Sequence, residues 1–438
     1  MKILMIPSDG GGGFGHISRC LVLAQEAHRR GHSCAFMLSD SRYEKFLARE
    51  FPVFVARRYR GFRHWQALLS AAKRKMAGSS QSPIFFTGFS SLDYQVVRDG
   101  LTDEKILTRR LNEYLRAVRR FDPDVIVADT SLMARPTAKK AMLPIVQVVR
   151  YATHPDTKSI IWWGDESDAM NPPDSLKLVN PWLKTMDLGA IATVGDLLRG
   201  DLYLIPGIPE LEPVPEDAQT LFTGQLSIAT ETDETSGSMP EFDDSLPMVY
   251  VTIGGGAGHT GNNLFFRTII RAFADKPVQV IVSTGNKVDA RDFSHLPANV
   301  RMFPWVPGKR AISKADLVVF HGGYATMMEC VSYGKPSVVI PFQTEQEGNG
   351  RRLEQLGSSV LLKLSRDPGR YVTGDWPYGT FTFFVQERYD LTAEILYGEV
   401  SKVLGDAEYL KRVNLLKSRA EAYGGPAAAM DRIEKRWA

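Results

Sequence analysis

The sequence contains few of the residues that mark several large classes of protein. Only three of its 438 residues are cysteines, Cys20, Cys34 and Cys330, and their spacing fits neither a disulfide framework nor a zinc knuckle. No run approaches the roughly 18 to 20 apolar residues of a membrane-spanning helix. The run of apolar residues before Pro7 is too short to be the hydrophobic core of a signal peptide. We therefore expect a cytoplasmic protein.

A large excess of one charge is also missing. Lys and Arg number 53 against 50 Asp and Glu, which gives a net charge of +3 at pH 7. No chain-wide basic field therefore predicts a nucleic-acid partner. Hydrophobic residues at 44% and charged residues at 24% exclude a disordered, collagen-like or coiled-coil chain. The length favours two globular domains over one.

Short apolar runs alternate with helical patterns along both halves of the sequence. The runs at residues 125–128 and 145–149 are nearly continuous, as in parallel strands that are buried on both faces. The alternation restarts near residue 249. We therefore predict an α/β fold with two Rossmann-like, doubly wound domains that face each other across a cleft.

A change of composition marks the expected domain boundary. Residues 227–246 are polar and acidic with few large apolar side chains, which is typical of a linker. The predicted division is an N-terminal domain over 1–226, a C-terminal domain over 247–415, and C-terminal helices over 416–438. The last helix, which begins near Pro426, is amphipathic and can pack on either domain.

A glycine-rich loop lies between the first strand and the first helix. Gly10, Gly12 and Gly15 match the GxGxxG pattern, and Asp40 stands near the position of a ribose-binding acid. Two interpretations of this loop therefore stay open, a dinucleotide site and a glycine-rich turn that binds no ligand. A third interpretation rests on His16 in the first helical turn, where the helix dipole favours the neutral imidazole of a general base.

Asp129 follows the run 125–128 and is expected at the same edge of the sheet as His16. A carboxylate on one imidazole nitrogen would fix the tautomer and stabilise the imidazolium that forms when the other nitrogen takes a proton. The alternative role for Asp129 is to cap a helix that starts near Leu132.

The second half carries a longer motif, in which His321, Gly322 and Gly323 follow a predicted strand and open a helix. The glycines allow a ligand to approach the backbone, and a helix N-terminus attracts anions. Thr326 adds a donor, and Glu329 lies one turn further on, either to bind a ribose or as an ordinary surface carboxylate. The set suits a diphosphate with its ribose.

These residues resemble the donor-sugar signature of inverting GT-B glycosyltransferases, in the group of the UDP-glycosyltransferases (family 1) and MurG-like enzymes (family 28). The signature is His321-Gly-Gly-x-x-Thr-x-x-Glu, followed by Gly334-x-Pro336, Pro341, Glu345-Gln346 and Asn349. The resemblance extends to His16, Asp129, residues 254–256 and Trp305-Val306-Pro307. It implies transfer of a hexose from a UDP-sugar to an acceptor hydroxyl, with the acceptor on the N-terminal domain and the donor on the C-terminal domain.

The resemblance also implies a role for individual residues. His16 would be the catalytic base and Asp129 its orienting partner. On the donor side, Trp305 would stack on the nucleobase, Glu329 would bind the ribose, and Glu345 with Gln346 would hold the sugar hydroxyls. The remaining positions that the resemblance implies are Gly255, His321, Gly323, Thr326 and Asn349 for the donor and Gly13 and Gly15 for the loop.

Two departures weaken a plant-type assignment: Gly308 stands where the plant enzymes have Gln, and Gly322 to Ala325 replace Cys-Gly-Trp-Asn. No acidic DxD pair lies in a suitable loop, since Asp122-Pro123-Asp124 directly precedes a strand and reads as a turn. A helix N-terminus with His321 can neutralise the departing diphosphate. We therefore expect no metal and no cofactor other than the nucleotide-sugar substrate.

Residues 51–92 contain no acidic residue, and basic and aromatic side chains are interleaved in their first part. Such a surface suits an anionic, partly apolar acceptor, either lipid or natural-product-like, and peripheral contact with the inner face of a membrane through residues 57–75. An ordinary solvated face is the alternative. For the whole chain, the alternatives are a catalytically silent auxiliary protein of the same fold, a GT-B nucleotide-sugar epimerase and a nicotinamide-dependent oxidoreductase.

Overall fold

The structure is a computed structural model that describes residues 1–10, 14–56, 84–157, 170–227, 245–254, 262–289, 292–293, 295–366 and 368–438. The strands of the N-terminal half are β1 (Lys2–Pro7), β2 (Ser33–Leu38), β3 (Val53–Val55), β4 (Phe86–Gly88), β5 (Val125–Asp129), β6 (Ile145–Val148), β7 (Leu202–Ile205) and β8 (Thr220–Phe222). All except β4 form one parallel sheet in the order β3-β2-β1-β5-β6-β7-β8. The connections from β1 to β2 and from β5 to β6 run through helices, as parallel pairing requires.

The helices of this half are α1 (Gly15–Arg29), α2 (Glu44–Leu47), α3 (Asp93–Arg98), α4 (Glu104–Phe121), α5 (Ala134–Ala141) and α6 (Leu176–Thr185). Two 3₁₀ turns cover Tyr151–Thr153 and Val194–Leu198. Helix α1 ends at Arg29, and Gly31 follows it with a left-handed φ of 85° that other residues adopt only at a cost. The register that pairs Pro7 with Asp129 brings the glycine loop and Asp129 to one edge of the sheet.

The C-terminal half repeats this design. Its parallel strands are β9 (Met248–Thr252), β10 (Gln279–Ser283), β11 (Val300–Phe303), β12 (Leu317–Phe320), β13 (Ser337–Val339) and β14 (Ser359–Leu361), in the order β11-β10-β9-β12-β13-β14. Its first helices are α7 (Asn262–Phe273), α8 (Gly308–Lys314), α9 (Tyr324–Tyr333) and α10 (Thr344–Gln355). The predicted α/β class with two Rossmann-like parallel sheets is confirmed.

An antiparallel hairpin, which the sequence patterns do not predict, is inserted after β14. Strands β15 (Arg370–Trp376) and β16 (Gly379–Gln386) form the hairpin, and β4 of the N-terminal half pairs with β16. Val372, Phe381 and Phe383 of the hairpin are buried in the hydrophobic core of the N-terminal domain. The two halves of the chain are therefore interlocked through this sheet.

Three helices complete the chain, α11 (Ala393–Gly405), α12 (Ala407–Ala420) and α13 (Gly425–Trp437). Helix α12 buries Leu416 in the core of the C-terminal domain, whereas α13 buries Met430 and Ile433 in the core of the N-terminal domain. The last helix thus returns to α1. Of the two packings that the sequence allows, the structure has the one on the N-terminal domain. Of the predicted linker, residues 228–244 lie outside the described residues. No helix in the described ranges is long and apolar enough to cross a bilayer.

Candidate active site

His16 and Asp129 meet at the edge of the N-terminal sheet. The Nδ1 atom of His16 lies 2.6 Å from Oδ1 of Asp129, whose side chain is fully buried, while about a third of the His16 side chain is exposed. Helix α5 begins at Ala134 without a side-chain cap, so Asp129 does not serve as the helix cap that the alternative proposed. The predicted pair of histidine and carboxylate is present.

Arg19, which the sequence analysis missed, shares the same carboxylate. Its Nε donates to Oδ2 of Asp129 at 2.7 Å and its Nη2 donates to Oδ1 at 3.0 Å, a bidentate pair that is strong when buried. Burial alone would raise the pKa of Asp129, but the charges of Arg19 and His16 and their hydrogen bonds hold it well below its usual range. Asp129 is therefore a carboxylate and can only accept, so Nδ1 of His16 donates to it in the tautomer that carries the proton on that atom. The Nη2 atom of Arg19, which can only donate, also lies 3.0 Å from Nδ1.

The alternative dinucleotide site depends on Asp40, which is buried and accepts a hydrogen bond from the Arg42 backbone N–H at 2.7 Å. Asp9 accepts hydrogen bonds from the backbone N–H groups of Ser39 and Asp40, at 2.7 and 3.0 Å. These carboxylates thus stabilise the turn after β2.

His321 follows β12 and is enclosed by two glycine backbones. A Cβ atom at Gly254 would lie 2.6 Å from the Cε1 atom of His321, and Gly254 also has a left-handed φ of 68°. A Cβ atom at Gly323 would collide with the same ring. The pairing of Thr252 with Phe320 sets these glycines beside His321, which explains why both loops need glycine.

Helix α9 starts directly after these glycines. Its first residue is Tyr324, its N-cap is Gly323, and no side chain caps its first N–H groups. Such an end of a helix binds anions. Thr326 and Glu329 follow in the first two turns and are half-buried. The diphosphate site that the sequence predicts at this helix N-terminus stays a prediction.

Glu345 lies in the first turn of α10 and forms an ion pair with Arg150 of the N-terminal domain. Burial would raise the pKa of Glu345, but the charges of Arg150 and His16 keep it below its usual value. Glu345 is therefore close enough to His16 for their charges to interact, although the two residues belong to different domains. Arg150 is a second residue that the sequence analysis missed.

Gln346 and Asn349 are turned toward the protein. The Oε1 atom of Gln346 accepts from the backbone N–H of Phe342 at 2.9 Å, and the Nδ2 atom of Asn349 donates to the Gly322 carbonyl at 2.8 Å. Both side chains are buried. They stabilise the turn that carries Glu345 and the glycines beside His321, so the predicted sugar contact of Gln346 competes with this internal hydrogen bond.

Trp305 lies between β11 and α8 with 45% of its surface exposed, so its ring is accessible to a ligand. Gly15 opens α1 beside His16. Gly13, Gly255 and the basic stretch at residues 57–83 lie outside the described residues. Asp122 ends α4 in a left-handed conformation, and Asp124 accepts from the Lys2 backbone N–H at 2.7 Å, as expected of a turn. Within the described ranges, no group of three or more His, Cys, Asp or Glu side chains is placed to hold a metal ion.

A signal for both missed arginines is present in the sequence. Arg19 lies three residues after His16, which is one helical turn and therefore the same face of α1. Arg150 follows β6, whose pairing of Val148 with Asp129 brings it to the edge of the sheet where Asp129 lies. Periodicity and strand order together could have placed both side chains near the dyad.

Comparison with known proteins gives a family match for part of the C-terminal half. Residues 248–369 match the family described as the glycosyltransferase family 28 C-terminal domain. The chain is 29% identical over 198 residues to a demethyllactenocin mycarosyltransferase of Streptomyces fradiae, a match that covers 45% of this chain and 37% of that protein. It is 30% identical over 194 residues to the NDP-glycosyltransferase YjiC of Bacillus subtilis strain 168, covering 44% of this chain and 42% of the relative. The matched region thus spans less than half the length of these two relatives.

The fold extends the likeness over the whole chain. The calicheamicin glycosyltransferase CalG4 superposes with a TM-score of 0.72 at 20% identity, over 99% of this chain and 97% of that structure. At this identity the likeness establishes the fold. The resemblance to GT-B glycosyltransferases that the sequence motifs predict is confirmed: this chain has the GT-B fold, and its residues 248–369 match the glycosyltransferase family 28 C-terminal domain.

Proposed function

We propose that this protein is an inverting glycosyltransferase that transfers a hexose from a nucleotide diphosphate sugar, with UDP as the expected nucleotide, to an acceptor hydroxyl. The observation that carries the proposal is the hydrogen-bonded pair of His16 and Asp129, which faces a cleft and interacts electrostatically with Glu345 of the other domain. The relatives named as a mycarosyltransferase and an NDP-glycosyltransferase support a sugar-transfer reaction.

His16 acts as the general base in this mechanism. Its Nδ1–H donates to Asp129, so the lone pair of Nε2 is available to an acceptor hydroxyl. As the acceptor oxygen bonds to the anomeric carbon, the bond from that carbon to the diphosphate oxygen breaks on the opposite face. The hydroxyl proton passes to Nε2, and Asp129 stabilises the imidazolium that results.

The donor binds the C-terminal domain. The uncapped N-terminus of α9 receives the diphosphate, with His321 and Thr326 as further donors and Glu329 on the ribose. Trp305 offers its exposed ring to the nucleobase. Because protein donors stabilise the negative charge of the leaving diphosphate, we propose that the reaction requires no metal.

The acceptor is a lipid or natural-product-like hydroxyl compound that binds the N-terminal domain. The proposal includes cytoplasmic action and peripheral contact with an anionic membrane through residues 57–75, each basic residue contributing ~1 kcal/mol at such a surface. Vesicle flotation at low salt tests the membrane contact. If the protein does not float with anionic vesicles, a freely diffusing acceptor replaces this part of the proposal.

The experiment that tests the function is a donor-hydrolysis screen across UDP- and dTDP-sugars, which needs no acceptor. We expect slow release of UDP and free sugar by the wild type, detected by mass spectrometry. Proton NMR of the first sugar released tests inversion, because an α-linked donor must then give the β anomer. If the α anomer appears first, inversion is wrong, and an epimerised sugar would favour the epimerase. If no nucleotide sugar is bound or hydrolysed, the function itself is wrong.

A further inference from the structure

Arg150 connects the two domains inside the candidate active site. It follows β6 in the N-terminal domain, and its Nη2 donates to Oε1 of Glu345 at the start of α10. Only 9% of the Arg150 side chain is exposed. The arginine end of the ion pair is therefore buried, whereas about a third of the Glu345 side chain is exposed.

Two groups besides Glu345 act on the Arg150 guanidinium. Its Cζ atom lies 4.2 Å from the ring centroid of Tyr324, the first residue of α9, in a cation–π contact. The charge of Glu212 acts on it from the segment after β7. Burial would lower the pKa of Arg150, but the charges of Glu345 and Glu212 hold it above its usual value, so Arg150 is fully charged.

One N–H group of Arg150 is left over in this arrangement. Its Nη1 atom is buried and has no hydrogen-bond partner among the described residues. A buried charged donor without an acceptor is unfavourable, so an acceptor brought by a ligand would be bound favourably. The neighbours of Arg150 already define which ligand that is, because Glu345 marks the sugar site and Tyr324 opens the helix of the diphosphate site.

We propose that Arg150 is a positioning residue for the donor sugar, supplied by the N-terminal domain. It holds the Glu345 carboxylate toward the sugar hydroxyls, and its Nη1–H donates to an oxygen of the same sugar. This inference rests on the proposed function. In this arrangement the donor sugar contacts both domains, whereas the nucleotide contacts only the C-terminal one.

Arg150→Met tests the proposal, since it removes the charge and the N–H groups but keeps an apolar side chain of similar length. We expect the KM for the preferred UDP-sugar to rise about tenfold or more, the loss expected for one charged hydrogen bond, while the Kd of free UDP changes less than about twofold. Arg150→Lys, which keeps the charge without the planar fork, should recover part of the affinity for the sugar nucleotide.

Arg419→Met is the matched control. Arg419 also forms a guanidinium–carboxylate contact across the domain interface, with Glu210, but it lies on α12 and is half exposed. It should behave as the wild type in both measurements. If Arg419→Met raises the KM as much as Arg150→Met does, the effect comes from domain docking and the proposal is wrong.

Glu345→Gln provides the second test. If Arg150 acts through Glu345 and on the same sugar, the double variant should lose much less affinity than the product of the two single losses. Independent, multiplicative losses would overturn the proposal, as would an equal loss of UDP affinity in Arg150→Met. Calorimetry with UDP and UDP-sugars needs no turnover. A wild type that binds these ligands but transfers the sugar to no acceptor therefore fails the proposed function, while the role of Arg150 is still decided. A wild type that binds neither overturns both.

Discussion

Asp129→Asn should damage stability and catalysis together, because one buried carboxylate serves both Arg19 and His16. The amide that replaces it keeps one acceptor oxygen for Arg19 but removes the compensating charge. Breaking a buried ion pair by removing one partner costs ~3 to 5 kcal/mol. For a domain of about 200 residues each kcal/mol lowers Tm by about 2 to 4 °C, so a fall of at least ~6 °C is expected.

The catalytic effect has a different cause. The new amide group donates to Nδ1 of His16, which moves the imidazole proton to Nε2 and removes the lone pair that the acceptor hydroxyl needs. Fixing the wrong tautomer lowers kcat by as much as ~10⁴-fold in the serine-protease triad, and we expect a loss of at least ~10²-fold here. Donor affinity should change little, because Asp129 lies in the N-terminal domain and the proposed nucleotide site lies in the C-terminal domain.

Differential scanning fluorimetry and donor hydrolysis measure the two effects separately. In the double variant Arg19→Met with Asp129→Asn, the unpaired buried charge is gone, so Tm should recover in part while kcat stays low. Arg199→Met is the control, because Arg199 also forms an ion pair in this domain but its side chain is 40% exposed. This substitution should lower the free energy of unfolding by less than ~1 kcal/mol. The reasoning is refuted if Asp129→Asn melts like the wild type, or if the double variant regains activity.

Four further results are expected. His16→Ala should lower turnover by about 10²-fold or more and leave the Kd of UDP unchanged in calorimetry, whereas equal turnover would remove His16 as the base. EDTA should leave hydrolysis mostly intact, and a complete loss that added metal reverses would contradict metal independence. Burial raises the pKa of Glu212 from 4.5 to about 7, so the folded state binds this proton more tightly and stability falls as pH rises from about 4.5 to about 7. In urea denaturation, the free energy of unfolding of Glu212→Gln should therefore exceed that of the wild type by up to about 3 kcal/mol at pH 8 but not at pH 4. If the two proteins differ by the same amount at both pH values, the titration of Glu212 is excluded. UDP-hexoses should be preferred over 2,6-dideoxy dTDP-sugars, and Gln346→Ala should lower turnover without weakening the binding of UDP. The opposite donor preference, or an equal loss of affinity for UDP and for the UDP-sugar, would show that the sugar pocket lies elsewhere.

Local patterns in the sequence predict most of the two parallel sheets. Buried parallel strands must be apolar on both faces, so residues 125–128 and 145–149 identify β5 and β6 with errors of at most one residue. The same logic places His16, Asp129 and His321 at strand or helix ends, since polar residues next to such runs lie at the edge of the sheet. These predictions succeed because the information is local.

The contacts between the halves could not be predicted in this way. Arg150 and Glu345 are separated by 195 residues, and nothing near either residue specifies the other. The hairpin of β15 and β16 alternates buried and exposed positions as a strand should, but its partner β4 is a three-residue segment almost 300 residues earlier. Pairing at such separations depends on how the domains dock, which periodicity does not encode.

The crossing of α13 and the hairpin has a consequence for building chimaeras from proteins of this fold. A splice in the linker near residue 246 would separate the domains in sequence order but not in space. The N-terminal domain would lose Met430 and Ile433 from its core beside α1, and Val372, Phe381 and Phe383 from the core under α4. A workable unit for exchanging the N-terminal domain is therefore discontinuous: residues 1–226 must be transferred together with the hairpin and the last helix of the same parent.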